Sequence, residues 1–497
     1  MRTRLNSGEH TPLACSDRRL AGWSGGLANV LSVFAFGRFT LPGETPGRAR
    51  ETRALPGQTE KASALIIVLW IAFGLVTMTL YFGQSMGFEL RAADNRSAAL
   101  EADQAILGAA RYVTNILARV TTPGEIPDTN TYRCSEVPIG EARVWFIGRN
   151  DRQNHGTYPA WGLVDEGSKL NLNVVTTNML YELPNMTPEL AAAIIDWRDS
   201  NQDTTDGGAE SEYYQRLDPP YSAKNTNFES VGELRLVAGM NIDLLFGEDA
   251  NLNGILDLNE NDSTDSLPED NRDGRLDPGF FEYFTIYTRI PTVGTNINDQ
   301  AGLQALFETK FGSSRAQQLR STPPGGGGGG AQAQFSNLLE FYYQSGLTRE
   351  EMTQIEGDLV CTNATNALIN INTAPQEVLA CVPGIGPELA PQVIAYRQSN
   401  PTQLNSIAWL GEALGWTAQD NLANIQQVGP WICGRSFQMS ADIAAVGHHG
   451  RGYKRVKYVF DVADGYARVR FRQDLTYLGW ALGRQVRDSL QLASNTR

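Results

Sequence analysis

Two stretches, NLNVVTTNMLYELPNMTPELAAAIIDWRDSN (residues 171–201) and NINTAPQEVLACVPGIGPELAPQVIAYRQSN (370–400), align without a gap and agree at 12 of 31 positions. The matches include Asn171/Asn370, Asn173/Asn372, Leu180/Leu379, Pro184/Pro383, the Pro-Glu-Leu-Ala tetrads at 188–191 and 387–390, Ile195/Ile394 and Arg198/Arg397. Each copy reads as helix, tight turn, helix. In the second, Val378, Leu379 and Val382 form one apolar face, Pro383-Gly384-Ile385-Gly386-Pro387 the turn, and Leu389, Ala390, Val393 and Ile394 the next face. Beyond each copy, FESVGELRLVAGM (228–240) echoes LNSIAWLGEALGW (404–416). The middle of the chain is therefore two helix-hairpin-helix repeats.

A hairpin of this kind can hold a nucleic-acid phosphate on its turn amides, with Gly384 and Gly386 allowing close approach. Charge argues against it. The chain has 41 Lys+Arg against 55 Asp+Glu, net −14, whereas phosphate binding needs a positive face. The first copy has Asn185-Met186-Thr187 in place of the glycines, and Glu189 and Glu388 stand beside the two turns. The hairpins are expected to be packing modules, with no nucleic-acid partner.

From Ala62 to Phe88 no charged residue occurs. As a helix this run is about 40 Å long, enough to cross a bilayer core of roughly 30 Å. Residues 1–61 carry nine Lys/Arg and five Asp/Glu, so the remainder is −14 − 4 = −18. Basic before and acidic after predicts an inner-membrane anchor with the large C-terminal part outside the cytoplasm. The run is longer than the apolar core of a cleaved secretory signal. The preceding residues, rich in Gly, Arg and Pro, read as a long leader or a mis-assigned start.

Glu89–Val120 continues the helix with Ala99, Leu100, Ile106, Leu107, Ala110, Val113 and Ile116 as its expected buried face. Strand-like segments follow at 142–150 and near 158–173, and residues 455–482 alternate with period two around a turn at Asp464-Gly465. Strands thus bracket a helical middle, and the fold class expected is α+β, with an all-α domain inserted into an αβ domain. STPPGGGGGGAQAQ (321–334) reads as a flexible linker.

An acidic insertion separates the repeats. DANLNGILDLNE (249–260) fits the twelve-residue calcium loop: Asp249, Asn251, Asn253, the carbonyl of Ile255, Asp257 and Glu260 as ligands, with Gly254 at the sharp bend. EDNRDGRLD (269–277) offers Glu269, Asn271, Asp273 and Asp277 at similar spacing but has Phe280 at position 12. A third cluster, Asp199, Asn201, Asp203, Asp206 and Glu210, follows no loop template and reads equally as a metal site or a turn-rich surface.

Of five cysteines, Cys15 lies in the leader and Cys134, Cys361, Cys381 and Cys433 in the exported part. Cys381 aligns with Glu182, which argues for a position outside the core, and Cys361 on the preceding loop is placed to reach it. A Cys361–Cys381 disulfide is expected, leaving Cys134 and Cys433 to pair or stay unpaired. The four histidines are His10, His155 and the pair His448-His449, and neither HExxH nor GxSxG is present. No catalytic residue is assigned, and the histidine pair reads as a solvated turn.

SALIIVLW (63–70), DEGSKLNLN (165–173), IIDWRDSN (194–201), GGAESEYY (207–214), YSAKNTNFESVGELRLVAGM (221–240), ININTAPQEVLACVPGIG (369–386) and RQDLTYLGW (472–480) occur in the order that resembles type II secretion protein K, the minor pseudopilin family. The resemblance spans about 62–482. It implies a structural protein at the tip of a periplasmic pseudopilus. Its partners would be other minor pseudopilins and the major pseudopilin, with secretin and cargo as further contacts. It also implies leader cleavage by a prepilin peptidase and methylation of the new terminus. The cut would fall between Ala62 and Ser63, although the family pattern has glycine where this chain has Ala62. The glutamate that most pseudopilins carry five residues into the mature helix is replaced by Ile67, as the resemblance leads one to expect. Calcium in the helical domain is a further implication.

Repeat and resemblance together divide the chain into a leader (1–62), a membrane helix (63–88), the pseudopilin helix with its first strands (89–168), the first SAM-like hairpin repeat (169–245), the acidic insertion with its linker (246–335), the second repeat (336–430) and the closing strands (431–497). The alternative from another class is a membrane-tethered DNA receptor of the competence type, which uses a similar hairpin and would need a basic face around Gly384–Gly386.

Overall fold

The computed structural model describes residues 60–149, 159–321, 334–361, 368–417 and 421–495. Residues 1–59, with Cys15 and His10, lie outside them, as do His155 and most of the 321–334 stretch expected to be a linker. The chain divides into two units at Tyr81/Phe82. Of the first, the described part belongs to helix α1 (Glu60–Ala118), the one described helix long and apolar enough to cross a membrane. Its large apolar side chains from Leu65 to Phe88 are exposed.

In the second unit, an antiparallel sheet is built from β1 (Val137–Ile139), β2 (Ala142–Ile147), β3 (Val164–Asp165), β4 (Gln438–Val446), β5 (Lys454–Asp461) and β6 (Arg468–Asp474). Its order is β1-β2-β4-β5-β6, and β3 also pairs with β4, Met439 opposite Asp165. Period-two alternation sorts the two faces. Val144, Phe146, Met439, Ala441, Ile443, Val456, Tyr458 and Phe460 pack on α1 through Ala102, Ala105, Ile106, Ala109 and Val113. Trp145, Ile147, Ala444 and Val446 face the other way, onto Ala481, Leu482, Val486 and Leu490.

Of the expected helix face, Ile106, Ala110 and Val113 are buried, but Leu100 is 66% and Leu107 45% exposed, and the buried stripe is mostly alanine. Small side chains let the helix backbone approach the sheet closely, and Ile106, Val113 and Leu117 are the larger residues that share the stripe. The expected β5–β6 hairpin is present, with Gly465 at φ +84° in its turn. β4 and the closing helix are among the elements that had no sequence reading. β4, the central strand, is buried nearly throughout, although Gln438 to Ile443 alternate polar and apolar residues, a strand signal that sequence reasoning missed. The closing helix Gly483–Asn495 lays Val486 and Leu490 on the sheet.

Between β3 and β4 the chain builds a second, mainly helical core from Leu170 to Ile432. The hairpins are α2 (Thr177–Tyr181) with α3 (Pro188–Arg198), and α4 (Gln376–Ala380) with α5 (Gly386–Ser399). This region is not wholly helical. Leu170–Asn171 pairs in parallel with Phe284–Thr285, Thr295–Asn296 with Leu359–Val360, and Ile369–Asn370 with Ile432–Cys433.

The repeats are anchored alike. Asn171 Oδ1 accepts from Asn173 N and Asn370 Oδ1 from Asn372 N, at 2.9 and 3.0 Å. The Arg198 guanidinium donates to the carbonyls of Leu172 and Val175. The guanidinium of Arg397 donates to those of Ile371 and Ala374, at 3.2 and 2.5 Å. Asn185 holds φ +59° where Gly384 holds +88°. Asparagine is one of the few side chains that tolerate this region, so the turn survives loss of the glycine. Buried Asp165 of β3 ties the second hairpin to the sheet, accepting from Asn370 Nδ2 at 2.9 Å, Thr373 Oγ1 at 2.5 Å and the Ser436 hydroxyl.

The expected Cys361–Cys381 disulfide is not formed. Cys381 is 2% exposed and so a core residue, against expectation. Its thiol donates to the Glu377 carbonyl at 3.1 Å, one turn back on α4, while the Cys361 thiol donates to the Ser336 carbonyl at 3.3 Å. Each sulfur therefore points to its own local acceptor.

Candidate functional site

The acidic insertion folds as two loops of like design. In the first, Asp249 accepts from the backbone N–H of Asn253 at 3.0 Å and of Gly254 at 2.8 Å. Gly254 takes φ +74°, as the sharp bend requires. Glu260 turns back across the loop and accepts from Asn251 N at 3.2 Å and Asp257 N at 3.0 Å. Asn251 and Asn253 amides donate to Asp257 Oδ2 at 2.8 and 3.0 Å. All six expected ligand residues lie on this one loop.

Asp249, Asn251, Asn253 and Glu260 are buried, and the Asn251 Oδ1 has no hydrogen-bond partner. Burial pushes Asp249 up to about 6, against the nearby N–H groups of Gly254 and Asn253. It pushes Glu260 up to about 8, with the Asp249 charge adding to the effect. Close buried carboxylates with an orphan carbonyl oxygen are the donor chemistry of a hard cation.

The second loop has the expected Asn271, Asp273 and Asp277, but not the expected first residue. Glu269 is exposed, and only its backbone N–H is engaged, donating to Asp243 at 3.2 Å. What closes the loop is Glu248, which sequence reasoning missed. It accepts from Asn271 N and Asp277 N, both at 3.0 Å, repeating the grip of Glu260 on the first loop. The Asn271 amide donates to Asp277 Oδ2 at 2.9 Å, as Asn251 does to Asp257. The closing carboxylate precedes its loop in the chain, so the template sought it at position 12 and found Phe280.

The third cluster is also rearranged. Carboxylate oxygens of Asp196, Asp199 and Glu210 lie within 4.8 Å of one another. Asp203 and Asp206 are exposed and outside this group. Asp196 was not expected: it is fully buried on α3, and the absent Cβ of Gly208 leaves room for its Oδ2. A buried acid on the apolar face of a helix is the signal that could have found it. Glu210 Oε1 and Asn225 Oδ1 are buried without a hydrogen-bond partner, and burial raises the Glu210 carboxyl.

The first loop is docked on the sheet by Arg455 of β5. Its fully buried guanidinium donates to the carbonyls of Asn251 and, at 2.7 Å, Leu252, and pairs with Asp442 of β4 at 2.6 Å. The hairpin turn, by contrast, offers little to an anion. Ile385 and Gly386 N–H groups both donate to the Val382 carbonyl, at 3.0 and 3.1 Å. A Cβ on Gly384 would meet Val428 at 2.7 Å, and Glu388 is exposed beside the turn.

Residues 168–245 match the family model for the first domain of type II secretion system protein K, and 365–419 match the helix-hairpin-helix motif. These two segments hold the two repeats. No curated protein matches. Among solved structures, a chain of the GspK-GspI-GspJ complex of the type 2 secretion system of enterotoxigenic Escherichia coli is similar at 12% identity and a TM-score of 0.35, over 80% of this chain and 98% of that one. At that score the likeness says nothing further about this molecule. Residues 168–245 are thus similar to the first domain of type II secretion system protein K, and 365–419 to a helix-hairpin-helix unit.

Proposed function

We propose that this chain is a minor pseudopilin at the tip of the periplasmic pseudopilus of a type II secretion system, nucleating or capping the filament during export of folded proteins. The match of residues 168–245 to protein K carries the reading. The exposed apolar stretch from Leu65 to Phe88 would join the helix bundle in the inner membrane, with the body of the protein in the periplasm. Ile67 suits a subunit with no neighbour above it, because an unpaired carboxylate in lipid costs several kcal/mol. The helical body between β3 and β4, read as an inserted domain of two SAM-like repeats, would obstruct further stacking. The leader would be cut between Ala62 and Ser63 by a prepilin peptidase and the new terminus methylated. Other minor pseudopilins and the major pseudopilin are the partners proposed, with secretin and cargo at the exposed end.

Calcium is the proposed cofactor. Asp249, Asn251, Asn253, Ile255, Asp257 and Glu260 would hold one ion, and Asn271, Asp273 and Asp277 with Glu248 a second. Asp196, Asp199 and Glu210 form a further candidate set. The ion would supply the positive charge that lets these carboxylates stay ionised together. The role is tested by producing the major pseudopilin with and without this chain. A capping subunit shortens the filaments in a dose-dependent way, and unchanged lengths would overturn it.

A further inference from the structure

The turn joining β4 and β5, Gly447-His448-His449-Gly450-Arg451-Gly452, is pressed against α1. A Cβ on Gly447 would lie 2.4 Å from the Ala98 carbonyl oxygen, and one on Gly452 2.3 Å from the Ala98 carbonyl carbon. Only glycine allows that approach. It sets His448 between Asp94 and Glu101, which lie two turns apart on one face of the helix. His448 Nδ1 is 2.8 Å from Glu101 Oε2, and its Nε2 is 2.9 Å from Asp94 Oδ1. The His448 backbone N–H also donates to Glu101, at 3.0 Å. His449 follows at φ +56°, its ring perpendicular to that of His448 with centroids 5.1 Å apart. Ligand atoms of Asp94, His448 and His449 lie within 4.8 Å of one another.

We propose that Asp94, His448 and His449 form a site for a divalent transition-metal ion of the zinc class, which clamps this stretch of α1 to the β4–β5 turn. Two imidazoles and one carboxylate are the donor set zinc favours, and one that calcium, which prefers oxygen, does not. The ion takes the place of the proton between His448 Nε2 and Asp94. Glu101 then holds the Nδ1–H of the ligating ring, the arrangement that fixes tautomer and orientation in metal-bound histidines. Arg451 contacts the other oxygen of Asp94 and keeps that carboxylate in place. His449 is exposed, which leaves a fourth position open to water.

The test uses the full chain in detergent, saturated with calcium so that the acidic loops are filled, and titrated with Zn2+ against a chromophoric chelator. One equivalent is expected, with affinity at least tenfold lower in His449→Asn. Asparagine accepts the positive φ, so metal-free thermal unfolding should be unchanged in that variant while its stabilisation by zinc disappears. Glu101→Gln is expected to weaken binding roughly 10- to 100-fold. Retention of wild-type zinc affinity by His449→Asn would overturn the site, as would no binding at all. Co2+ separates the remaining case: a thiolate charge-transfer band would put the metal on cysteine and also overturn it.

Discussion

Arg198 and Arg397 make the same pair of contacts in the two repeats, each guanidinium donating to two carbonyls in the loop that opens its hairpin. A charge-assisted hydrogen bond contributes about 1.5–3 kcal/mol. Arg397→Ala is expected to lower stability by about 2–3 kcal/mol, read from the urea midpoint. Arg397→Lys should recover less than half: both bonds leave from Nη1, and the more strongly hydrated ammonium costs more to bring into that part-buried place.

Arg455 joins the sheet to the first acidic loop. Removing it leaves Asp442 without its partner in a mostly buried place, a loss of about 3–5 kcal/mol. Arg455→Met is expected to unfold at correspondingly lower denaturant and to bind calcium more weakly, because the Asn251 and Leu252 carbonyls lose their support. A variant with wild-type calcium affinity would show that the loop does not depend on the sheet.

Glu248 and Glu260 hold equivalent places on the two loops. Glu248→Gln and Glu260→Gln should each weaken one class of calcium site at least tenfold and leave the other, as isothermal titration would resolve. Chelation should expose residues 246–280 to limited proteolysis in the unaltered chain. A Glu248→Gln protein with both sites intact would return the second loop to the status of a solvated acidic turn.

Glu356 is buried and accepts from Ile407 N at 2.7 Å and Gly434 N at 2.9 Å. Burial pushes its carboxyl from 4.5 up to about 7, against the opposing pull of Arg435. The folded chain therefore binds more protons than the unfolded one between these values. Its contribution to stability is fully present below pH 4.5 and is lost as pH rises through 7. In calcium-saturating buffer, the urea midpoint should fall from pH 5 to pH 7.5, and Glu356→Gln should flatten that fall.

Gly384 and Gly386 both take positive φ, yet only the first is crowded. Gly386→Ala is expected to cost about 1 kcal/mol from the backbone alone. Gly384→Ala adds a clash with Val428 and should cost about 2–4 kcal/mol. Equal losses would mean that the turn is not covered by the helix carrying Val428.

Much of this molecule is written locally. The gapless repeat, the charge-free helix, the β5–β6 hairpin and the first acidic loop could each be read because period, turn residues and ligand spacing reside in a few consecutive residues. The phase of α1 could be read only in part: Ile106, Ala110 and Val113 are buried, but Leu100 and Leu107 are not, since alanines make up most of the face that meets the sheet. The alternation of β4 extends only from Gln438 to Ile443 before Ala444, Ala445 and Val446 end it, and it was missed.

The sequence by itself determined the repeated hairpins, the membrane-length helix and the ligand spacing at 249–260. Only the tertiary structure decided that Glu248 closes the second loop, that Asp196 joins Asp199 and Glu210, that Arg455 carries the first loop, and that Cys361 and Cys381 face separate acceptors. The reason is common to the first three. Each depends on which distant groups share a buried space, and burial sets the strength of a charge or hydrogen bond without leaving a mark on the neighbouring residues in the chain.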